Sequence, residues 1–131
     1  MPKQIDDEKD RYGPGPLKGM RVLIIEDNSL TAYVIESTLL EHGGRSVGVC
    51  QSGRDAMRLL DQCEIDFALI DLRLVDGFAD DVIQHLVKDR INFAIITGML
   101  AVPANFPPEA VAILHKPVKA AELITTLAPF A

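Results

Sequence analysis

Four apolar runs in the sequence each end in residues that can do chemistry. Val22-Leu23-Ile24-Ile25 ends in Glu26-Asp27, Phe67-Ala68-Leu69-Ile70 in Asp71, Phe93-Ala94-Ile95-Ile96 in Thr97, and Val111-Ala112-Ile113-Leu114 in His115-Lys116. If a fold gathers these ends, three carboxylates share one crevice, repel one another and lose hydration, so a positive group must join them. A hard divalent cation answers this most simply. Magnesium takes one or two carboxylates, several waters and phosphate oxygens, and needs no His or Cys. Lys116 could then neutralise one phosphoryl oxygen and Thr97 hydrogen-bond a second. The set describes a phosphoryl-binding site whose nucleophile is a carboxylate, as in aspartyl-phosphate chemistry. Taken alone, Asp71 also reads as the first residue of a turn, because Asp71-Leu72-Arg73-Leu74-Val75-Asp76-Gly77 becomes a loop.

The elements that must position these residues alternate. Strands covered on both faces read as unbroken apolar runs, and four such runs are joined by a shorter one at Val47-Gly48-Val49-Cys50. A first helix follows Asn28-Ser29, with Ala32, Ile35 and Leu39 as its buried stripe, Leu30 and Val34 widening it, Tyr33 packing along it, and Gly43-Gly44 closing it. Ser52-Gly53-Arg54-Asp55 has the form of a capping box before Ala56, Leu59, Leu60 and Cys63. Val82, Ile83, Leu86 and Val87 mark a third helix, and Leu123, Ile124 and Leu127 a last, short one. Between the fourth and fifth strands, Pro103, Pro107 and Pro108 leave room for one short turn at most. Five strands alternating with helices predict an α/β fold: a parallel sheet with right-handed crossovers and helices on both faces. Ligands of such sheets bind outside the carboxyl ends of the strands, where Glu26, Asp27, Asp71, Thr97 and Lys116 lie.

Length and composition bound the rest. A chain of 131 residues is one domain's worth. Residues 1–19 are polar and end in Gly13-Pro14-Gly15-Pro16, which reads as a flexible tail ahead of a domain over 20–131. A formal charge of −6 without a basic run argues against nucleic acid. No apolar stretch is long enough for a membrane span or a signal peptide, so a cytoplasmic protein is expected. Cys50 and Cys63 sit in apolar patterns and read as buried, reduced thiols. His42 and His85 read as helix surface residues, and His115 as structural.

The motifs Val22-Leu23-Ile24-Ile25-Glu26-Asp27-Asn28, Ala68-Leu69-Ile70-Asp71-Leu72-Arg73-Leu74, Ile96-Thr97-Gly98 and His115-Lys116-Pro117-Val118 stand in an order that resembles the receiver domain of bacterial response regulators. The resemblance covers residues 20–131. It implies a flavodoxin-like, doubly wound sheet of strand order 2-1-3-4-5 with helices on both faces, here with the fourth helix short or missing. It implies further that Asp71 accepts a phosphoryl group from a histidine kinase or phosphotransfer protein. Glu26, Asp27, Asp71 and the backbone carbonyl of Arg73 would hold Mg2+. Lys116 would pair with the phosphoryl group, Thr97 would report it, and Lys116-Pro117 would be cis. The Arg73 side chain reads either as a phosphoryl contact or as a solvated loop charge.

The sequence departs from that family at Ile113, where an aromatic switch residue is expected, at Val75, often proline, and at the proline-rich segment 103–108. Phosphorylation would then be read out by ordering of the segment from Leu100 to Glu109. The leading expectation is a stand-alone, phosphorylation-controlled signalling module of a two-component phosphorelay, without an output domain and not a conventional enzyme. A homodimer is compatible with it. The alternative is a receiver-like domain that binds a partner without being phosphorylated. A hydrolase with an Asp nucleophile would want a second carboxylate two residues on, where Arg73 stands.

Overall fold

The computed structural model describes residues 15–74, 76–98 and 106–131. In chain order the elements are β1 (Arg21–Ile25), α1 (Ser29–Glu41), β2 (Arg45–Cys50), α2 (Gly53–Gln62), β3 (Phe67–Asp71), α3 (Ala79–Lys88), β4 (Asn92–Thr97), β5 (Ile113–His115) and α4 (Ala120–Leu127), with a closing 3-10 turn at Ala128–Phe130. The strands form one parallel sheet in the order β2-β1-β3-β4-β5. This is the flavodoxin-like order, with the fold class as expected.

Side-chain alternation along the central strands builds two cores. Val22 and Ile24 of β1, Phe67 and Leu69 of β3, and Ala94 and Ile96 of β4 face one side, packing with Ala32, Ile35 and Leu39 of α1 and Leu123 and Leu127 of α4. Leu23 and Ile25, Ala68 and Ile70, and Phe93 and Ile95 face the other, against Ala56 and Leu60 of α2 and Val82, Ile83 and Leu86 of α3. Both faces being covered explains why β1, β3 and β4 read as unbroken apolar runs. The ends of β1, β3 and β4 are thereby held by two packed layers.

Several expectations are corrected. The tail is not loose up to residue 19: Leu17 is fully buried in the first core beside Met20, and its N–H donates to the His42 carbonyl at 3.0 Å. Gly19 donates to Gly43 at 2.9 Å, so a turn at 15–19 closes the foot of the sheet. Residues 1–14 lie outside the described residues. On α1, the helix is apolar nearly all round, and Leu30 (72% exposed), Tyr33 (67%) and Val34 (45%) face outward instead of joining the stripe. Cys50 is buried as expected, but Cys63 ends α2 on the exposed side; both are free thiols. His42 and His85 are half-buried, His42 Nδ1 lying 2.8 Å from the Thr38 carbonyl and His85 Nε2 2.8 Å from Asp89. β5 starts at Ile113, two residues later than expected, although Val111 N–H still reaches the Phe93 carbonyl at 2.9 Å. Between β4 and β5 there is no helix among the described residues; Phe106 and Ala110 pack on the second core, and residues 99–105 of the proline-rich region lie outside the described ones.

The foot of the sheet is pinned by an ion pair. Asp66 accepts from the Arg21 backbone N–H at 2.8 Å, from Nε at 3.0 Å and from a terminal guanidinium nitrogen at 2.9 Å. The Arg21 guanidinium holds the Asp66 carboxyl below its ordinary value, against the opposing effect of partial burial. A carboxylate whose folded value is depressed adds stability above its unfolded value and loses it as pH falls through the folded one. The loss therefore sets in below about pH 4, the ordinary carboxylate value. Asp66→Asn is expected to flatten this acid limb, measured as urea midpoints across pH. No described helix is long and apolar enough to cross a membrane.

Candidate functional site

The alternation that builds the cores also aims the site. β1 and β3 are neighbours with Ile25 opposite Ile70, so Glu26 and Asp71 follow at adjacent strand ends. Both share the parity of Ile24 and Leu69 and lie on the α1 side. The Glu26 N–H still donates to the Cys50 carbonyl at 2.8 Å, which carries the β1–β2 ladder one residue past the strand and fixes where Glu26 points. Glu26 is fully buried, Asp71 is 5% exposed and Thr97 4%. Asp27 is half-buried at the rim.

One carboxylate oxygen from each of Glu26, Asp27 and Asp71 lies within 4.8 Å of the others. Lys116 joins them, its Nζ 2.8 Å from Asp71 Oδ2 and in ion-pair contact with Glu26 Oε1. Its backbone is held as well, because the Lys116 N–H donates to the Thr97 carbonyl at 2.8 Å, and the Lys116-Pro117 peptide is cis as expected. The second Asp71 oxygen, Oδ1, accepts from the Arg73 N–H at 2.8 Å. Arg73 itself is exposed beside the site.

The electrostatics follow from crowding. Burial, reinforced by the neighbouring Asp71, pushes the Glu26 carboxyl up to about 7 even with Lys116 opposing. Burial also works against the Asp71 charge, but Glu26, Lys116 and the Arg73 N–H together hold Asp71 below the ordinary carboxylate range. Lys116, although partly desolvated, is raised by its two carboxylates. Three acids thus face one ammonium group. Glu26 Oε2 is buried without a hydrogen-bond partner among the described residues, an acceptor that a cation would satisfy. With oxygen donors only, the set fits Mg2+.

All five strand-end residues picked from the sequence are therefore placed at one edge, with Glu26, Asp71 and Lys116 in mutual contact. Sequence reasoning missed Asp76. Its carboxylate leaves the loop after β3 and accepts from the N–H groups of Gly53 and Arg54, both at 3.1 Å, at the start of α2. The available signal was only an Asp-Gly turn, which does not name a partner more than twenty residues away.

Comparison with known proteins identifies the family and the fold. The aerobic respiration control sensor protein ArcB of Escherichia coli (strain K12) is 34% identical over 103 residues, covering 79% of this chain and 13% of ArcB. The cell cycle transcriptional regulator CtrA of Caulobacter vibrioides (strain NA1000 / CB15N) is 38% identical over 77 residues, covering 59% of this chain and 33% of CtrA. The chain thus spans a third or less of the length of these curated relatives. In fold, it is similar to a CheY-like receiver domain from Methylobacillus flagellatus, with a TM-score of 0.77 at 22% identity, covering 87% of this chain and all of that one. The profile of the response regulator receiver domain matches residues 22–128, and with the acidic edge described above, the chain belongs to the receiver-domain family of two-component systems.

Proposed function

We propose that this receiver accepts a phosphoryl group on Asp71 from a histidine kinase or phosphotransfer protein, in a reaction that needs Mg2+. The observation that supports this most is the convergence on Asp71 of Lys116, the Arg73 N–H and two further carboxylates. Glu26, Asp27, Asp71 and the Arg73 carbonyl would hold the metal, which when bound neutralises phosphoryl oxygens. A carboxylate oxygen of Asp71 attacks phosphorus, the phosphorus–nitrogen bond of a phosphohistidine breaks, and the imidazole leaves with the bonding electron pair. Lys116 is placed to move its hydrogen bond from Asp71 to a phosphoryl oxygen. Thr97 offers a hydroxyl at the neighbouring strand end. The domain would promote its own phosphorylation and dephosphorylation by positioning and charge neutralisation, without turning over a separate substrate. Intact-mass measurement with acetyl phosphate tests this: one phosphoryl group is gained with magnesium, and no gain, or an equal gain with the metal chelated, removes the reading.

The partner has a place to sit. Leu30, Thr31, Val34 and Ile35 of α1 line a groove with Pro117 and Val118, immediately after Lys116. An apolar helical partner covering Leu30 and Val34 would bring its phosphohistidine to the Asp71 edge. Val34→Asp is expected to weaken such docking by about 2 kcal/mol or more, the scale of a central interface residue. Transfer from a phosphorylated kinase should slow accordingly, while phosphorylation by acetyl phosphate stays at the wild-type rate.

A second reading is motivated by Ile113, half-buried at the start of β5, and by the absence of a described helix between β4 and β5. On that reading the domain binds a partner regardless of phosphorylation, and partner affinity is unchanged by Asp71→Asn.

A further inference from the structure

The loop between β3 and α3 carries Arg73, whose N–H holds Asp71 Oδ1. Its own anchorage is unusual in reaching across to another helix. Asp76 Oδ1 accepts from Gly53 N–H at 3.1 Å and from Phe78 N–H at 3.3 Å, and Oδ2 accepts from Arg54 N–H at 3.1 Å. The first N–H groups of a helix have no partner within it. In α2 three of them find partners outside the helical ladder, Gly53 and Arg54 on Asp76 and Asp55 on the Ser52 hydroxyl at 3.2 Å, before Ala56 makes the first intrahelical bond to the Ser52 carbonyl at 3.2 Å. Asp76 therefore caps two of these three N–H groups in a helix to which it does not belong, and its negative charge lies at the positive end of that helix.

The surroundings are shaped for this contact. A Cβ added at Gly53 would lie 2.5 Å from Phe78 Cβ and 3.1 Å from the Phe78 carbonyl oxygen, so the loop closes on α2 at a distance only glycine permits. The Arg54 guanidinium lies over the Phe78 ring, 5.6 Å from its centroid. Gly77, with φ of +73° and its N–H donating to Leu74 at 3.1 Å, makes the turn that sends the Asp76 side chain toward α2. Leu74 sinks into the second core.

We propose that Asp76 is a positioning residue for the Asp71 site: by bolting the β3–α3 loop to the N-terminus of α2, it fixes the Arg73 backbone, and with it Asp71 Oδ1 and the Arg73 carbonyl. The role rests on the proposed function of Asp71 only for its chemical consequence. The clamp itself is a property of the loop. Once Asp76 is removed, the Arg73–Asp71 bond and Leu74 in the second core still hold the loop on its β3 side, and its hydrogen bonds to the N-terminus of α2 are lost.

The test compares Asp76→Ala and Asp76→Asn with Ser52→Ala, which weakens the cap of α2 without touching the loop. Two quantities are read on the folded protein: hydrogen exchange at the Arg73 amide by NMR, and magnesium affinity by calorimetry with magnesium chloride alone. Asp76→Ala is expected to speed Arg73 exchange and weaken magnesium binding by about tenfold each, the lower end for a group that orients a metal ligand. Asp76→Asn, which keeps one acceptor oxygen but turns an amide NH2 toward a helix N–H, should fall between; it carries the test should the alanine variant not fold. Ser52→Ala should lower the urea midpoint and leave both quantities at wild-type values. Wild-type Arg73 exchange in the Asp76 variants, or an equal change in Ser52→Ala, overturns the proposal. Should wild type take no phosphoryl group, the reading of Asp71 falls while Arg73 exchange still decides the clamp.

Discussion

Asp71→Asn is expected to end phosphoryl acceptance while leaving the fold intact. Asn has the shape of Asp and keeps an Oδ1 that can accept the Arg73 N–H now at 2.8 Å, so the loop has no reason to move. What is lost is the nucleophile. An amide oxygen does not form the acyl phosphate, and the rate with acetyl phosphate and magnesium should drop on the order of 10^4-fold or more, as when a covalent nucleophile is removed. Magnesium binding should also weaken, because one of the three carboxylates becomes neutral. Lys116 retains Glu26 as its ion-pair partner, so the urea midpoint should shift little. A large loss of stability together with the loss of labelling would mean that Asp71 serves mainly to bury Lys116.

Lys116→Met is expected to have the largest effect on stability. Among the described residues, Lys116 is the cation in contact with Glu26 and Asp71, and its side chain is 24% exposed while those of its partners are 0% and 6%. Removing one member of a buried pair leaves uncompensated charge, which costs about 3–5 kcal/mol. Magnesium can supply the missing positive charge. The unfolding free energy of Lys116→Met should therefore rise more steeply with magnesium concentration than that of wild type, through preferential binding to the folded state. Urea unfolding with and without magnesium measures both effects. A variant as stable as wild type in the metal-free state would show that the carboxylates are neutralised by protonation alone. The raised value of Glu26, about 7, makes that a concrete alternative.

The strand ends were legible because they depend on period alone. A strand buried on both faces has no polar face to confuse it, so Ile25, Ile70 and Ile96 each announced that the next residue leaves the core. Their convergence then followed from parallel topology. Other features escaped because they depend on what lies opposite. Helix α1 is apolar around most of its circumference, so periodicity could not tell Ile35, which the sheet covers, from Val34, which it does not. Leu17 sits between proline and glycine residues that mark turns, and only the contacts of that turn with His42 and Gly43 reveal that it closes the core. Cys63 has the helical spacing of a buried residue but is the exposed C-cap of α2. Asp76 obeyed the local rule of an Asp-Gly turn and used its side chain elsewhere.

If Glu26, Asp27, Asp71, Thr97 and Lys116 act as one phosphoryl-accepting site, labelling falls on Asp71 and needs magnesium. The most direct measurement is fragment mass spectrometry that locates the phosphoryl group after brief incubation with acetyl phosphate, with and without magnesium. The expected result is a single adduct on Asp71, present only with the metal and missing from Asp71→Asn. An adduct at any other residue, or one on Asp71 formed equally well without magnesium, would contradict it.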